Sequence, residues 1–246
     1  MSTRLMKTNT LRLAAPAALA LALTIGNLPI RAQGQSAPPA QGQGTPGQPG
    51  GRANTPPPDP TKPHRLEITT GTTARYKVRE QLAGISFPSD AVGTTSAVTG
   101  SIVVKPDGSI DAAQSKLTVD LKTLTSDQQM RDGYIQNRTL ETAKYPTIEF
   151  VPKKAVGLPS PLPAGMQAQA GFQLVGDMTL HGVTKEATWN VVATFGNDLV
   201  GGRATTTFDF ATYGMTKPTL ARLLSVDDKI ELEIEFRCKR TVVSGS

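Results

Sequence analysis

The 246-residue chain carries 26 basic and 20 acidic side chains, a formal charge of +6, but its first 32 residues hold four of the cations (Arg4, Lys7, Arg12, Arg31) and no acid. Without that segment the count is 26 − 4 = 22 basic against 20 acidic residues, a balance too even to argue for nucleic-acid binding, which needs a clustered basic face. Cys238 is the single cysteine, which excludes an intrachain disulfide and leaves the core to hold the fold without covalent staples.

Residues 1–32 read as a secretory signal peptide. A basic start precedes the apolar run Leu13–Ile25, and Gly26 to Ala32 ends in a small residue. The run is short of the ~20 residues that span a bilayer, so cleavage after Ala32 and a periplasmic or secreted protein are expected. No cysteine stands near the cleavage region to take a lipid anchor. Residues 33–63, rich in Pro, Gly and Gln, contain Pro56-Pro57-Pro58. Apart from proline rings and alanine methyls they have nothing apolar to bury, so a disordered, partly polyproline-II linker follows.

The remaining 64–243 form one domain in which nearly every segment alternates. Tyr76 and Val78 oppose Arg75, Lys77 and Arg79. Ser101–Lys105 is a short β-branched run closed by the turn signal Pro106-Asp107-Gly108. Leu117, Val119 and Leu121 alternate with Thr118 and Asp120, and Ile148 and Phe150 follow Pro146. Phe172, Leu174, Met178 and Leu180 share one face before a polar turn at His181-Gly182; Ala187, Trp189, Val191 and Ala193 share a face after it. Beyond Gly201-Gly202, Thr206, Phe208 and Phe210 oppose Thr205, Thr207 and Asp209.

In the last strand Ile230, Leu232, Ile234, Phe236 and Cys238 face one way and Glu231, Glu233, Glu235, Arg237 and Lys239 the other. One side must be packed and the other wet, which argues against a lipid-facing transmembrane barrel. One stretch, Ser126–Asn137, departs from the pattern: Met130, Tyr134 and Ile135 sit at helical spacing, Ser126 and Gln129 suggest a capping box, and Gly133 weakens the helix. About eight strands and one short helical segment predict an all-β fold, an eight-stranded antiparallel barrel whose closure removes exposed edges.

Enzyme signatures are sparse. The only histidines, His64 and His181, are far apart, and HExxH, CxxC, GxSxG and GxxxxGK patterns are missing. No metal site, catalytic residue or cofactor is therefore expected; His181 reads as a surface turn residue and Cys238 as a buried thiol. Arg131 and Asp132 have two readings. Both tie the helical loop to the barrel wall, or Arg131 stands at the mouth and meets a polar head group, with Met130 and Tyr134 lining the entrance. An eight-stranded barrel is just wide enough to be filled by side chains or to hold one small ligand. Candidate ligand-binding residues of the lumen or its mouth are Tyr76, Met130, Arg131, Tyr134, Leu140, Phe150, Phe172, Leu174, Trp189, Phe208 and Phe210.

Four segments, DLKTLTSDQQMRDGYIQN (120–137), TLETAKYPTIEF (139–150), GDMTLHGVTKEATW (176–189) and SVDDKIELEIEF (225–236), stand in an order that resembles the YceI-like family of exported lipid-binding proteins. The resemblance runs from about Ala97 to Arg240. It implies an extended lipocalin-like barrel holding an isoprenoid or fatty-acid-type ligand, with Arg131-Asp132, Tyr145-Pro146 and Leu180–Thr184 at the family's motif positions. The segment His64–Thr95 lacks the family's usual aspartate-and-histidine opening, and the YG step at Tyr213-Gly214 lacks the usual preceding Arg. The expectation is non-catalytic binding, transport or sequestration of a long-chain isoprenoid or other amphiphilic lipid, without stable membrane insertion and with a homodimer left open. The alternatives are an enzyme acting on a hydrophobic substrate in the same cavity and a solid-barrel structural or stress protein.

Overall fold

Alternation along each strand separates an apolar face from a charged one, and a sheet with one such face buries it by curling on itself. The computed structural model describes residues 56–164 and 168–243, and there the chain does this. The strands are β1 (His64–Ile68), β2 (Thr73–Leu82), β3 (Ser89–Thr95), β4 (Val98–Val104), β5 (Lys116–Asp120), β6 (Thr125–Ser126), β7 (Thr147–Val156), β8 (Ala168–Leu180), β9 (Val183–Phe195), β10 (Leu199–Asp209) and β11 (Leu223–Val242). All pair antiparallel. The expected signal peptide and residues 33–55 of the expected linker lie outside the described residues.

The order β1-β4-β5-β7-β8-β9-β10-β11 returns to β1 and closes a ring of eight. The other three segments extend that ring. β2 continues β1 beyond residues 69–72, β3 leads into β4, and β6 continues β5, so β11 pairs with β2, β2 with β3 and β3 with β6 at the far end. The fold is thus an up-and-down barrel of eight strands, three of them interrupted. No ladder joins β6 to β7, and the chain between them carries the helix α1 (Gln129–Tyr134) and a π-helical turn, Ile135–Thr139. The expected helix is present, but its cap differs. Ser126 belongs to β6, Gln128 occupies the N-cap, and the side chain that reaches back is Asp132, whose Oδ1 accepts from the Ser126 amide at 2.8 Å.

β8 and β9 form the longest hairpin, with every residue from Ala168 opposite Phe195 to Leu180 opposite Val183 in register. His181 (φ 52°) and Gly182 (φ 74°) make the two-residue turn, the geometry that matches the twist of the flanking strands. A Cβ on Gly182 would strike the Tyr145 ring, and one on Gly176 would strike Val151 O and Pro152 Cα where β7 slips register against β8. On the outer wall Arg75 reaches Glu233 (2.8 Å) and Glu235 (2.5 Å), Lys77 meets Glu231 (3.0 Å), and Arg203 lies 3.4 Å from both Glu233 and Glu235. The glutamate face of β11 is therefore a cross-strand ion-pair ladder. Each exposed pair is worth only ~0.2–1 kcal/mol, but such a wall suits water and not hydrocarbon.

The end opposite α1 is shut by a buried arginine. Arg240 sends Nε and Nη2 to Nδ1 of His64 (2.9 and 2.6 Å) and Nη1 to the carbonyls of Pro163 (2.5 Å) and Gly196 (3.3 Å). His64 Nε2 donates to Asp59 O at 2.8 Å. The pattern requires a neutral ring protonated on Nε2, because Nδ1 must accept. Burial holds the His64 pKa below its ordinary 6.5, and the Arg240 charge lowers it further against an opposing pull from the Asp59 carbonyl.

Two outcomes follow from these contacts. A histidine with a depressed folded pKa contributes stability that is complete above 6.5 and lost as pH falls toward the folded value. The urea midpoint should therefore decline on acidification below about 6.5, and His64→Gln should flatten that part of the profile at a cost of about 2 kcal/mol at neutral pH. Gly176→Ala should lower stability by about 1–3 kcal/mol in the same assay, since the backbone it meets cannot yield cheaply.

Candidate functional site

The barrel interior is hollow. A cavity of about 200 Å³ runs inside the ring, far more than the ~10–15 Å³ a water needs, and its wall is almost wholly hydrocarbon. Leu158 and Leu162, from the loop after β7, lie at the floor beside the Arg240 cluster. Ile68, Ile102, Leu117 and Ile148 line one side, and Leu174, Val191, Ala193 and Phe195 the other. α1 and the 214–222 segment stand at the opposite end.

Of the sequence candidates, Tyr76, Arg131, Tyr134, Leu140, Phe150, Phe172, Leu174, Trp189, Phe208 and Phe210 all line this cavity. They come from five strands, the helix α1 and two turns, and only the closed sheet brings them together. Phe150 and Trp189 rings lie 6.0 Å apart and Phe208 meets Tyr213 edge-on at 4.9 Å. Met130 is a correction. It is 87% exposed and takes no part in the lining. The inward stripe of the helical segment is Arg131, Tyr134 and Ile135, and Met130 precedes it by one residue, about 100° round the helix.

Arg131 lies in the cavity wall and is also pinned there. Its Nη2 bridges Glu80 on β2 at 2.7 Å, with both side chains buried, and its Nη1 meets Asp127 at 2.5 Å. Asp132 holds the Ser126 amide. Both members of the pair thus tie the helical segment to the barrel wall, the first of the two readings. Glu80, Ile135 and Thr139 also line the cavity. Ile135 was legible in the helical spacing; no signal in the sequence marked Glu80, whose partner lies 51 residues away.

The polar atoms of the wall are few. Arg75 Nε, Tyr76 Oη, Thr139 Oγ1 and Trp189 Nε1 are buried without a hydrogen-bond partner from the described residues. Burial pushes the Tyr76 pKa to about 12, so its phenol stays protonated and able to donate. The Cys238 thiol, also in the wall, is pushed by burial to about 12, which keeps it from acting as a nucleophile. Neither histidine lines the cavity. His181 is a turn residue, as expected, but its ring is partly buried: Nε2 lies 2.7 Å from Glu141 Oε2, Nδ1 3.2 Å from Tyr213 O, and the ring abuts Tyr145 at 4.6 Å. It fastens three loops at the α1 end.

Comparison with known proteins agrees with this architecture. Residues 68–238 match the model of the YceI-like domain. Two UPF0312 proteins of Pseudomonas putida, from strains W619 and GB-1, are 34% and 33% identical over 131 residues, which is 48% of this chain and 62% of each relative's length. A solved structure described as a polyisoprenoid binding domain from Saccharophagus degradans implicated in plant cell wall breakdown superposes with a TM-score of 0.55 at 13% identity, covering 72% of this chain and 98% of that one. With well over half of the chain matched and an eight-stranded barrel closed around an apolar cavity, this protein belongs to the YceI-like domain family.

Proposed function

We propose that the protein binds a long-chain isoprenoid or other amphiphilic lipid in its barrel without catalysis, and carries or sequesters it in the periplasm. The carrying observation is the cavity itself. It is a hydrocarbon-walled space enclosed by a water-suited exterior, so an apolar chain gains about 0.8 kcal/mol for each methylene it takes out of water. A related barrel from Saccharophagus degradans is described as polyisoprenoid-binding, which supports the class of ligand. The donors Tyr76 Oη and Trp189 Nε1 suit a ligand with an acceptor oxygen along its length or at its head. Arg131 is neutralised by two carboxylates, so the same mouth accepts a neutral polar head.

Organic extraction of the purified protein followed by mass spectrometry should yield a prenyl or long-chain lipid. An empty extract, together with no uptake of a prenol probe, would rule the reading out. Trp189 is the only tryptophan, so prenol titration should shift its emission saturably, and Leu174→Glu, which places a charge in the wall, should abolish that shift while the protein stays folded by circular dichroism. Arg131→Ala should cost about 3–5 kcal/mol in urea unfolding, because it leaves Glu80 buried and unpaired. Export rests on residues 1–32; N-terminal sequencing of the protein from its host's periplasm should begin at Gln33.

A further inference from the structure

The end of the barrel that carries α1 is also where the exposed hydrocarbon collects. Ile85 and Phe87, on the loop between β2 and β3, are 52% and 79% exposed; Met130 on α1 is 87% exposed; Leu220 and Leu224, on the approach to β11, are 40% and 67% exposed. Hydrogen bonds fasten these three segments side by side. The Ala83 amide donates to Arg222 O at 2.8 Å, Leu82 pairs with Leu223, Arg131 bridges to Glu80, and the Thr219 amide donates to Tyr134 Oη at 3.2 Å. The other large apolar side chains exposed among the described residues, Val156, Val192, Leu199 and Val242, stand on four different strands, β7, β9, β10 and β11.

Two further observations say what the rim meets. Tyr134, Leu220 and Leu223 belong to the same segments and line the cavity, so hydrocarbon runs without a break from the lumen to the outer surface, with Leu220 part of both. The charges on these segments balance. Arg131 pairs with Glu80 and Asp127, Lys217 pairs with Asp228, and Asp132 caps Ser126. Counting Arg131, Arg138, Lys217, Arg222 and Lys229 against Glu80, Asp127, Asp132, Asp227 and Asp228 gives 5 − 5 = 0. An apolar tip with no net charge, continuous with an apolar lumen, favours the bilayer interface through the hydrocarbon it buries and not through attraction to anionic lipid.

We propose that this rim docks reversibly on the surface of a lipid bilayer, with Phe87, Ile85, Met130 and Leu224 entering the acyl boundary and the cavity mouth facing the membrane. Cargo then passes between bilayer and barrel without crossing water. The inference rests on the lipid-binding reading for its purpose and on the rim alone for its geometry.

Vesicle flotation tests it. Wild type should float with phosphatidylcholine vesicles, and to a similar extent when they contain phosphatidylglycerol. The double variant Phe87→Ser, Leu224→Ser should lose binding by about tenfold or more, with the Trp189 response to a prenol probe unchanged. Val192→Ser, exposed on the far wall, should float as wild type does. The proposal is overturned if wild type stays unbound to both vesicles at low salt, or if the double variant floats equally well. It is also overturned if ultracentrifugation shows a dimer that the double variant dissociates, since the rim would then be a self-association face. Flotation that depends on Phe87 and Leu224 in a protein taking up no prenol would retire the lipid-carrying reading and leave the docking one standing.

Discussion

A single strand of twenty residues, β11, holds three neighbours at once: β10 along one edge, and β1 and β2 in succession along the other. The sheet closes only because the first long strand breaks at residues 69–72 and still follows β11 on both sides of the break. The break is held from β11, with Thr72 Oγ1 accepting from the Arg237 amide at 2.9 Å and the Thr69 amide donating to Arg237 O at 2.8 Å. Closure leaves no free edge on the eight-stranded ring and traps the apolar face inside. The cavity, the paired glutamates outside and the rim at the mouth all depend on it.

The two ends of the barrel solve different problems. At the floor a buried cation is surrounded by carbonyls and a neutral histidine, which locks β1, β11, the β9–β10 turn and the 157–164 loop together. At the mouth the ladder is left open between β6 and β7, and a short helix fills the gap, tethered by the Arg131–Glu80 pair. A closed floor with an opening at one end suits a space that takes in a chain end first. The hydrocarbon wall with four unpartnered polar atoms is likewise suited to long apolar ligands that carry a little oxygen.

Much of the fold was legible because a period of two is a local property. The faces of β8, β9 and β11 could be written from spacing alone, and with them the candidates Phe172, Leu174, Trp189 and Phe208. Helical register over six residues is a weaker signal, and Met130 was placed on the wrong side of a helix whose inward stripe begins one residue later. The spacing places His181 in a turn, yet the partial burial of its ring leaves no mark there, because Glu141 and Tyr145 reach it from the loop before β7 and Tyr213 from the turn after β10. Glu80 and the floor leucines Leu158 and Leu162 went unseen for the same reason: no periodicity marks a residue whose partner is distant in the chain.

The sequence by itself determined that the chain makes antiparallel strands, which side chains share a face, and that one face of the last strand is charged, since alternation and charge are written residue by residue. Its four motifs in order pointed to the family. Only the tertiary structure decided that the barrel is hollow, because the space inside depends on strand stagger and on which side chains meet across the lumen. It alone decided that Arg131 finds Glu80, that Arg240 seals the floor against His64, and that scattered apolar residues gather at one mouth.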